Sequence, residues 1–235
     1  MSQEITWQTY DLIYREKDYH GEVQALLDVI QREGKAPALS LLDVACGTGS
    51  HLVFLRDHFD CTGTDLQPTM LEAARHKLPG LPFHQADMRD FDLGQTFDVV
   101  TCLFSAIGYM LTIEDLNRAI ASMARHLAPG GLLLIEPWFG PAVLEEGKPH
   151  ARFIHTPEIK IARMNVNVIE GHIYRTDFNY LIATAEGVRH VVEPLLLGMY
   201  DDATHQAAFE AAGLTARIER PGIDNRGLWI ANRPT

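Results

Sequence analysis

Cysteine is scarce in this 235-residue sequence: Cys46, Cys61 and Cys102 are widely spaced and never form a CxxC pair. An odd, scattered set supports neither a disulfide framework nor a zinc site. It points to a reducing compartment, here the cytoplasm. Long apolar runs are also missing; nothing approaches the ~20 residues a membrane-crossing helix needs. The opening MSQEITWQTYDLIY lacks the basic head and apolar core of a secretory signal. Positive charge is in deficit, with 20 Lys and Arg against 31 Asp and Glu and a net charge of −11. No dense basic cluster interrupts that balance. Such a surface repels a phosphate backbone, which argues against nucleic acid and favours a small cationic or uncharged ligand.

Several catalytic signatures are absent as well. His150, His155, His172, His190 and His205 have no paired ligand spacing, so no metal is expected. No GxSxG surrounds Ser105, which leaves a hydrolase elbow unsupported. Cys46 and Cys102 lie in apolar settings and read as packed rather than reactive.

What is present is an ordered alternation. Helical spacing over residues 5–16 and 20–33 predicts two helices, the second ended by Gly34 and Pro37. Apolar strands follow at 39–45, 59–64, 82–85, 97–103 and 132–136, with helices at 50–58, 68–76 and 113–126. The last of these carries a stripe of Ile113, Leu116, Ile120, Met123 and Leu127, and Pro129-Gly130-Gly131 reads as a stop. Strands apolar throughout are buried on both faces, and helices between them imply a parallel sheet with right-handed crossovers. Residues 159–168, 172–183 and 188–197 alternate instead and read as an antiparallel meander. A helix over 202–212, closed by Gly213, and strands at 216–219 and 228–232 end the chain. The expected organisation is N-terminal helices and the ligand-binding half of an α/β sheet in 1–136, an antiparallel β cap in 137–200, and closing elements in 201–235.

A parallel sheet binds ligands at the carboxyl ends of its strands, which draws attention to LLDVACGTGSHL at 41–52. Neither register of GxGxxG is complete, because Leu52 or Ser50 takes the third glycine position, and no Gly-Lys-Ser/Thr follows. A pyrophosphate handle, and with it a nicotinamide-dependent oxidoreductase, is poorly supported. A tight turn that needs glycine only for its backbone is the plain alternative. Two acids add to the turn. Asp65 ends the second strand about 20 residues on, where a carboxylate accepts from ribose hydroxyls. Asp87 ends the third strand, placed to accept from an adenine amine with Met88 flanking the ring. Each acid alone could equally be solvated or a helix cap.

This layout resembles the class I S-adenosylmethionine-dependent methyltransferases. The matching pieces are Asp43-Val-Ala-Cys-Gly47-Thr-Gly49, Asp65, Asp87-Met88 and HLAPGGLLLIE, with Ala45 in place of the usual first glycine. The resemblance implies a Rossmann-like, seven-stranded, mostly parallel sheet. It also implies contacts to S-adenosylmethionine from Asp43, Ala45, Gly47, Thr48 and Gly49 in the turn, with Tyr19 on the N-terminal helices. Further contacts are implied from Asp65, Leu66 and Met70, from Asp87 and Met88, and from Phe104. The cofactor carries a sulfonium and no phosphate, so an acid at 43 suits it.

YDLIYREKDY, ADMRDFDLGQTFDVVTCLFSAIGYM, EPWF, RTDFNYLI, VRHVV and NRGLWIA extend the likeness over most of the chain. They resemble the TDP-aminosugar N,N-dimethyltransferases, which act on the 3-amino group of deoxysugar nucleotides in macrolide-type antibiotic pathways. That implies two successive methyl transfers onto a neutral amine, a reaction in which positioning supplies most of the acceleration. Tyr109 occupies the place of a His or Tyr beside the amine, or else packs over the cofactor. Ser105 touches the acceptor, Trp138 walls the sugar site or is core, and Arg226 meets the phosphates or is a surface arginine. An upstream tyrosine of some members aligns with Ser2. The alternative acceptor is another small-molecule amine, carboxylate or hydroxyl. The meander's edges offer a route to a homodimer.

Overall fold

The computed structural model describes residues 6–34, 37–140 and 142–234. Its main sheet has five strands from the first half of the chain: β1 (Ser40–Val44), β2 (Asp60–Asp65), β3 (Phe83–Gln85), β4 (Phe97–Cys102) and β5 (Leu127–Ile135). Two more close the chain, β10 (Thr215–Ile223) and β11 (Gly227–Asn232), giving seven strands in the order β10-β11-β5-β4-β1-β2-β3. The first five pair in parallel, while β11 runs antiparallel to β5 and β10 antiparallel to β11. This is the Rossmann-like, mostly parallel arrangement expected. Its order reverses beside β1, which places a crevice between the tips of β1 and β4.

Burial explains the continuous apolar strands. Leu42, Val44, Val100, Leu133 and Ile135 face one side, against Leu116, Ile120 and Met123 of helix α5 (Ile113–Arg125). Leu41, Val99, Leu132 and Leu134 face the other. There they meet Val23, Leu26 and Ile30 of α2 (Tyr19–Glu33) and Leu71 and Ala74 of α4 (Pro68–Lys77). Successive strand residues therefore both enter a core.

Several boundaries differ from the sequence expectation. The helix after β1 is the single turn α3 (Leu52–Leu55). Ile113, read as part of the buried stripe of α5, is 55% exposed because it opens the helix. Pro129-Gly130-Gly131 does not stop the chain before β5 but lies inside it: Phe97 pairs with Leu127 and Val99 next with Leu132, so the intervening residues bulge out. Glycine suits that bulge, since a Cβ on Gly131 would stand 2.9 Å from the Ala128 carbonyl oxygen.

The meander is a separate four-stranded antiparallel sheet in the order β6-β7-β8-β9. Its strands are β6 (Pro149–His155), β7 (Lys160–Glu170), β8 (Ile173–Thr184) and β9 (Gly187–Gly198). Its inner face packs Ile154, Ile161, Tyr180, Ile182 and Val191 around Ile13 of α1 (Trp7–Ile13). The opposite side of α1 is tied to the main sheet's first turn, where the Thr48 hydroxyl donates to Asp11 at 2.7 Å and Lys77 pairs with Asp11 at 3.0 Å. One short helix thus joins the two sheets. The remaining helix is α6 (Asp202–Ala211), capped by the Asp201 side chain. Among the described residues no helix is long and apolar enough to cross a membrane.

Candidate functional site

The turn after β1 passes through left-handed backbone at alternate residues, with φ of +58° at Ala45, +56° at Gly47 and +77° at Gly49. Each glycine has its own reason. A Cβ on Gly49 would come 3.1 Å from Leu78 on α4, whereas a Cβ on Gly47 would meet nothing within 4 Å and point into open space. That space is a cleft lined by Tyr10, Tyr19, Asp43, Ala45, Thr48 and Phe104, among others. Bare backbone facing a cleft suits a ligand laid directly along the chain.

Asp65 at the tip of β2 fastens this turn to α4. One carboxylate oxygen accepts the Gly47 amide at 2.8 Å, and the other accepts the Gln67 amide at 2.8 Å. Both oxygens keep a lone pair for further donors, as a ribose diol would provide. Burial raises its pKa. Asp43 lies deeper, 2% exposed, and accepts from the Thr101 hydroxyl at 2.8 Å. Burial pushes its carboxyl up to about 6. A cationic group above the turn would favour its ionised form. Turn, acids and open cleft together fit a phosphate-free cationic nucleoside.

The other expected cofactor residues spread further. Leu66 is 57% exposed beyond Asp65, with Met70 half-buried on the first turn of α4. Met88 is buried in the core. The Asp87 carboxylate is gripped by its neighbour: Arg89 donates from Nε at 3.0 Å and from its backbone amide at 2.9 Å. These bonds hold the acid below its usual pKa and leave only part of it for an adenine amine. Tyr19 stacks edge-on with His51 at 4.9 Å.

Beyond β4 the chain makes two consecutive left-handed residues, Phe104 and Ser105, with φ of +52° and +59°. A 3₁₀ turn (Ala106–Tyr109) follows and ends on Tyr109, which is 56% exposed. Its ring is reachable, yet surrounding protein pushes the phenol up to about 12, so it remains protonated at neutral pH. Ser105 is buried and its hydroxyl donates to the Pro137 carbonyl at 2.9 Å, which fastens this turn to the end of β5. Trp138 packs on Tyr174 at 5.5 Å, and its indole N–H is buried without a partner.

Arg226 is not a surface arginine: its Nε is buried without a hydrogen-bond partner. Its side chain is 9% exposed and donates to Glu136 at 2.6 Å and Asp224 at 3.1 Å. Glu136 is fully buried and also accepts the Phe104 amide at 2.6 Å. Lys17 joins Asp224 at 2.7 Å and Glu22, and Glu22 joins His51 at 2.8 Å. This chain of charges runs behind Phe104, whose ring lies 4.6 Å beneath Lys17 Nζ. Sequence reading did not find Glu136, Lys17 or Glu22, because their partners are brought together only by folding. Tyr14 is central: its ring meets Phe104 edge-on at 5.0 Å and Tyr10 at 4.8 Å. The i, i+4 spacing of Tyr10 and Tyr14 was the available signal. Ser2 lies outside the described residues. Among the described residues no cluster of His, Cys, Asp or Glu could hold a metal.

A family model described as a methyltransferase domain matches residues 41–131, the half of the main sheet that carries the turn and both acids. The chain is 40% identical to a dTDP-3-amino-3,4,6-trideoxy-alpha-D-glucopyranose N,N-dimethyltransferase of Streptomyces venezuelae, over 94% of each chain. It is also 40% identical to a dTDP-4-amino-2,3,4,6-tetradeoxy-D-glucose N,N-dimethyltransferase of Saccharopolyspora spinosa, over 95% of this chain and 91% of that one. Among solved structures it superposes with a TM-score of 0.88 on SAM-bound CalS10, an amino pentose methyltransferase of Micromonospora echinaspora involved in calicheamicin biosynthesis. That likeness covers 99% of this chain and all of the other, at 37% identity. The chain belongs to the S-adenosylmethionine-dependent methyltransferases, in the family of the aminosugar N,N-dimethyltransferases.

Proposed function

We propose that the protein dimethylates the amino group of a TDP-3-amino-deoxysugar. The carrying observation is the cleft at the tips of β1 and β4, lined by the bare Gly47 backbone, Asp43, Tyr10 and Phe104, with exposed Tyr109 following on the turn beyond Phe104. Relatives named for both 3-amino and 4-amino sugars, each 40% identical, support the nucleotide-linked aminosugar as the class.

The residues fit their tasks. Asp65 and the Gly47–Gly49 turn hold the nucleoside end, and Asp43 offers negative potential beneath a cation. The bound sulfonium supplies an electrophilic methyl group. The chain's own contribution is to set the amine lone pair in line with it and exclude water, since positioning accounts for most of the acceleration. The Tyr109 oxygen accepts a hydrogen bond from the amine N–H and fixes its direction. The nitrogen keeps its lone pair for attack and releases its proton to water after transfer. An amine that is partly unprotonated at neutral pH needs no strong base, in keeping with a phenol held near 12. The meander within 137–200 serves as the acceptor's cap, joined through α1 to the cofactor turn.

We further propose a homodimer, formed through the meander's outer face rather than its edges. Phe153, Met164, Val166, Leu181, Val188 and Val192 are all exposed there. They occupy alternate positions where a solvated sheet face would be polar. Light scattering at micromolar concentration should give twice the chain mass, and Val166→Asp with Leu181→Asp should halve it. The three free cysteines, none of them paired, support a cytoplasmic setting.

The reaction is tested by incubating the protein with the methyl donor and TDP-3-amino- or TDP-4-amino-deoxysugars. Addition of two methyl groups to the 3-amino isomer is expected. No mass gain on either isomer with saturating donor would refute the reading.

A further inference from the structure

Asp87 and Arg89, two residues apart beyond the tip of β3, meet fork to fork. Arg89 donates from Nη2 to Oδ2 at 2.5 Å, and its Nε stands 3.0 and 3.1 Å from Oδ1 and Oδ2. The Arg89 backbone amide donates to Oδ1 at 2.9 Å. An ionised carboxylate has about four lone-pair places. These N–H groups fill three of them, so one acceptor place stays open. The guanidinium also holds the carboxyl below its usual pKa, so the acid is charged at neutral pH.

Backbone contacts fix where this acid stands. Gln85 pairs with Asp65, and Ala86 donates its amide to the Asp65 carbonyl at 3.0 Å. Asp87 therefore comes directly after the residue bonded to the acid that holds the Gly47 turn. The Asp90 amide donates to the Asp87 carbonyl at 3.0 Å and closes a turn, while Met88, between the two charged residues, is buried in the core. Helix α5 holds Arg89 from behind. The Ser122 hydroxyl donates to its carbonyl at 3.1 Å, and the Asp115 carboxylate lies 3.6 Å from its Nη1. Arg118 shares Asp115 at 3.8 Å. With side chains 39% and 31% exposed, the Arg89–Asp87 pair adds little to stability. What such a fork fixes is direction.

We propose that Arg89 is a positioning residue that sets the base specificity of the methyl donor. By filling the other places on Asp87, it presents a single charged acceptor that admits a 6-amino purine and rejects a 6-oxo purine. The amino group donates one N–H to the open place. A 6-oxo group offers an acceptor there, and two acceptors with no proton between them leave the carboxylate unpaired. Without the fork the carboxylate turns freely and takes its donors from water, and the preference for the amino group fades. The proposal rests on Asp87 facing the base and is independent of the acceptor's identity.

Calorimetry on the full chain tests this with S-adenosylhomocysteine and S-inosylhomocysteine, which carry a 6-amino and a 6-oxo group respectively. The wild type should bind the adenosyl compound at least about tenfold tighter. Arg89→Ala should lose about tenfold for the adenosyl compound with the inosyl compound little changed, so the preference shrinks towards parity. Arg89→Lys keeps the charge without the fork and should recover only part of it. Asp115→Asn should move the preference the same way by less. If Arg89→Ala does not fold, Arg89→Gln carries the same expectations. An arginine that merely supports the fold would weaken both compounds alike, so an equal loss overturns the proposal. Tighter adenosyl binding by Arg89→Ala also overturns it, since the arginine would then compete with the base. Asp87→Ala separates the two layers. A preference lost there but intact in Arg89→Ala sinks the role of Arg89 alone, whereas a preference intact in Asp87→Ala places the base elsewhere and removes the footing of the proposal.

Discussion

Glu136 accepts the backbone amide of Phe104 at 2.6 Å from a position with no solvent exposure. That bond joins the tip of β5 to the strained pair Phe104 and Ser105 at the tip of β4, and so helps to hold the wall on which Tyr109 stands. Left-handed backbone costs a non-glycine residue roughly 1–2 kcal/mol, and two in succession need such an anchor. Arg226 satisfies the other carboxylate oxygen. Truncating Arg226 to Ala should cost about 3–5 kcal/mol, because it leaves Glu136 buried and less compensated. Glu136→Gln, which keeps an acceptor for the Phe104 amide, should cost less than Glu136→Ala. Urea denaturation measures both, and equal losses for Gln and Ala would show that the amide bond is not the anchor.

Asp65 bridges Gly47 and Gln67, so its replacement acts on the cofactor side. Asp65→Ala should weaken S-adenosylhomocysteine binding by about tenfold or more, roughly 1.4 kcal/mol. Asp65→Asn retains a carbonyl oxygen for one amide and should lose less. Calorimetry reads this directly, and donor affinity preserved in the Ala variant would place the ribose elsewhere.

Tyr109 is exposed and is not needed to close the core. Tyr109→Phe should lower kcat by about tenfold, the scale of one lost orienting hydrogen bond, with donor affinity little changed. A parallel loss of donor binding would indicate that the ring packs over the cofactor instead.

Ala45 holds φ at +58° where the family's first motif usually has glycine. Ala45→Gly relieves that strain but adds freedom to the unfolded chain, two effects of about 1 kcal/mol each. The melting temperature should therefore rise slightly or stay level. A fall of several degrees would mean that the methyl group makes a packing contribution larger than the strain.

Burial raises the Asp43 carboxyl to about 6 in the folded state, above its ordinary value near 4. The folded protein then binds the proton more tightly than the unfolded chain does. The stabilising effect of protonation is fully present below pH ~4 and is lost as pH climbs through about 6. Relative to Asp43→Asn, the wild type should lose on the order of 3 kcal/mol of unfolding free energy between pH 4 and pH 7. Denaturant titrations at the two pH values check this, and a gap that is flat with pH would show that Asp43 is ionised normally.

The alternation of strands and helices was legible because it is a local property. β1, β4 and β5 are apolar throughout since both faces are covered, and that pattern survives in the one-dimensional order of residues. The glycine turn and Asp65 were legible for a similar reason: each must follow directly on the end of a strand. β6 escaped notice because its pattern is inverted, with Arg152 turned inward and Phe153 left 69% exposed on the outside. No rule of apolar-inside alternation finds such a strand.

What the amino-acid order determined by itself was the parallel architecture, the place of the crevice and the acids at its strand tips, all set by contacts within one βα unit. Only the tertiary structure decided where the long-range charges go. Lys17, Glu22, Glu136, Asp224 and Arg226 come from three separate stretches of chain, and their pairing depends on how β11 closes against β5. It also decided that Arg226 lies inside the protein, paired with Glu136. The physical reason is reach: an ion pair acts over a few ångströms in space, whatever the separation along the chain, so no local spacing records it.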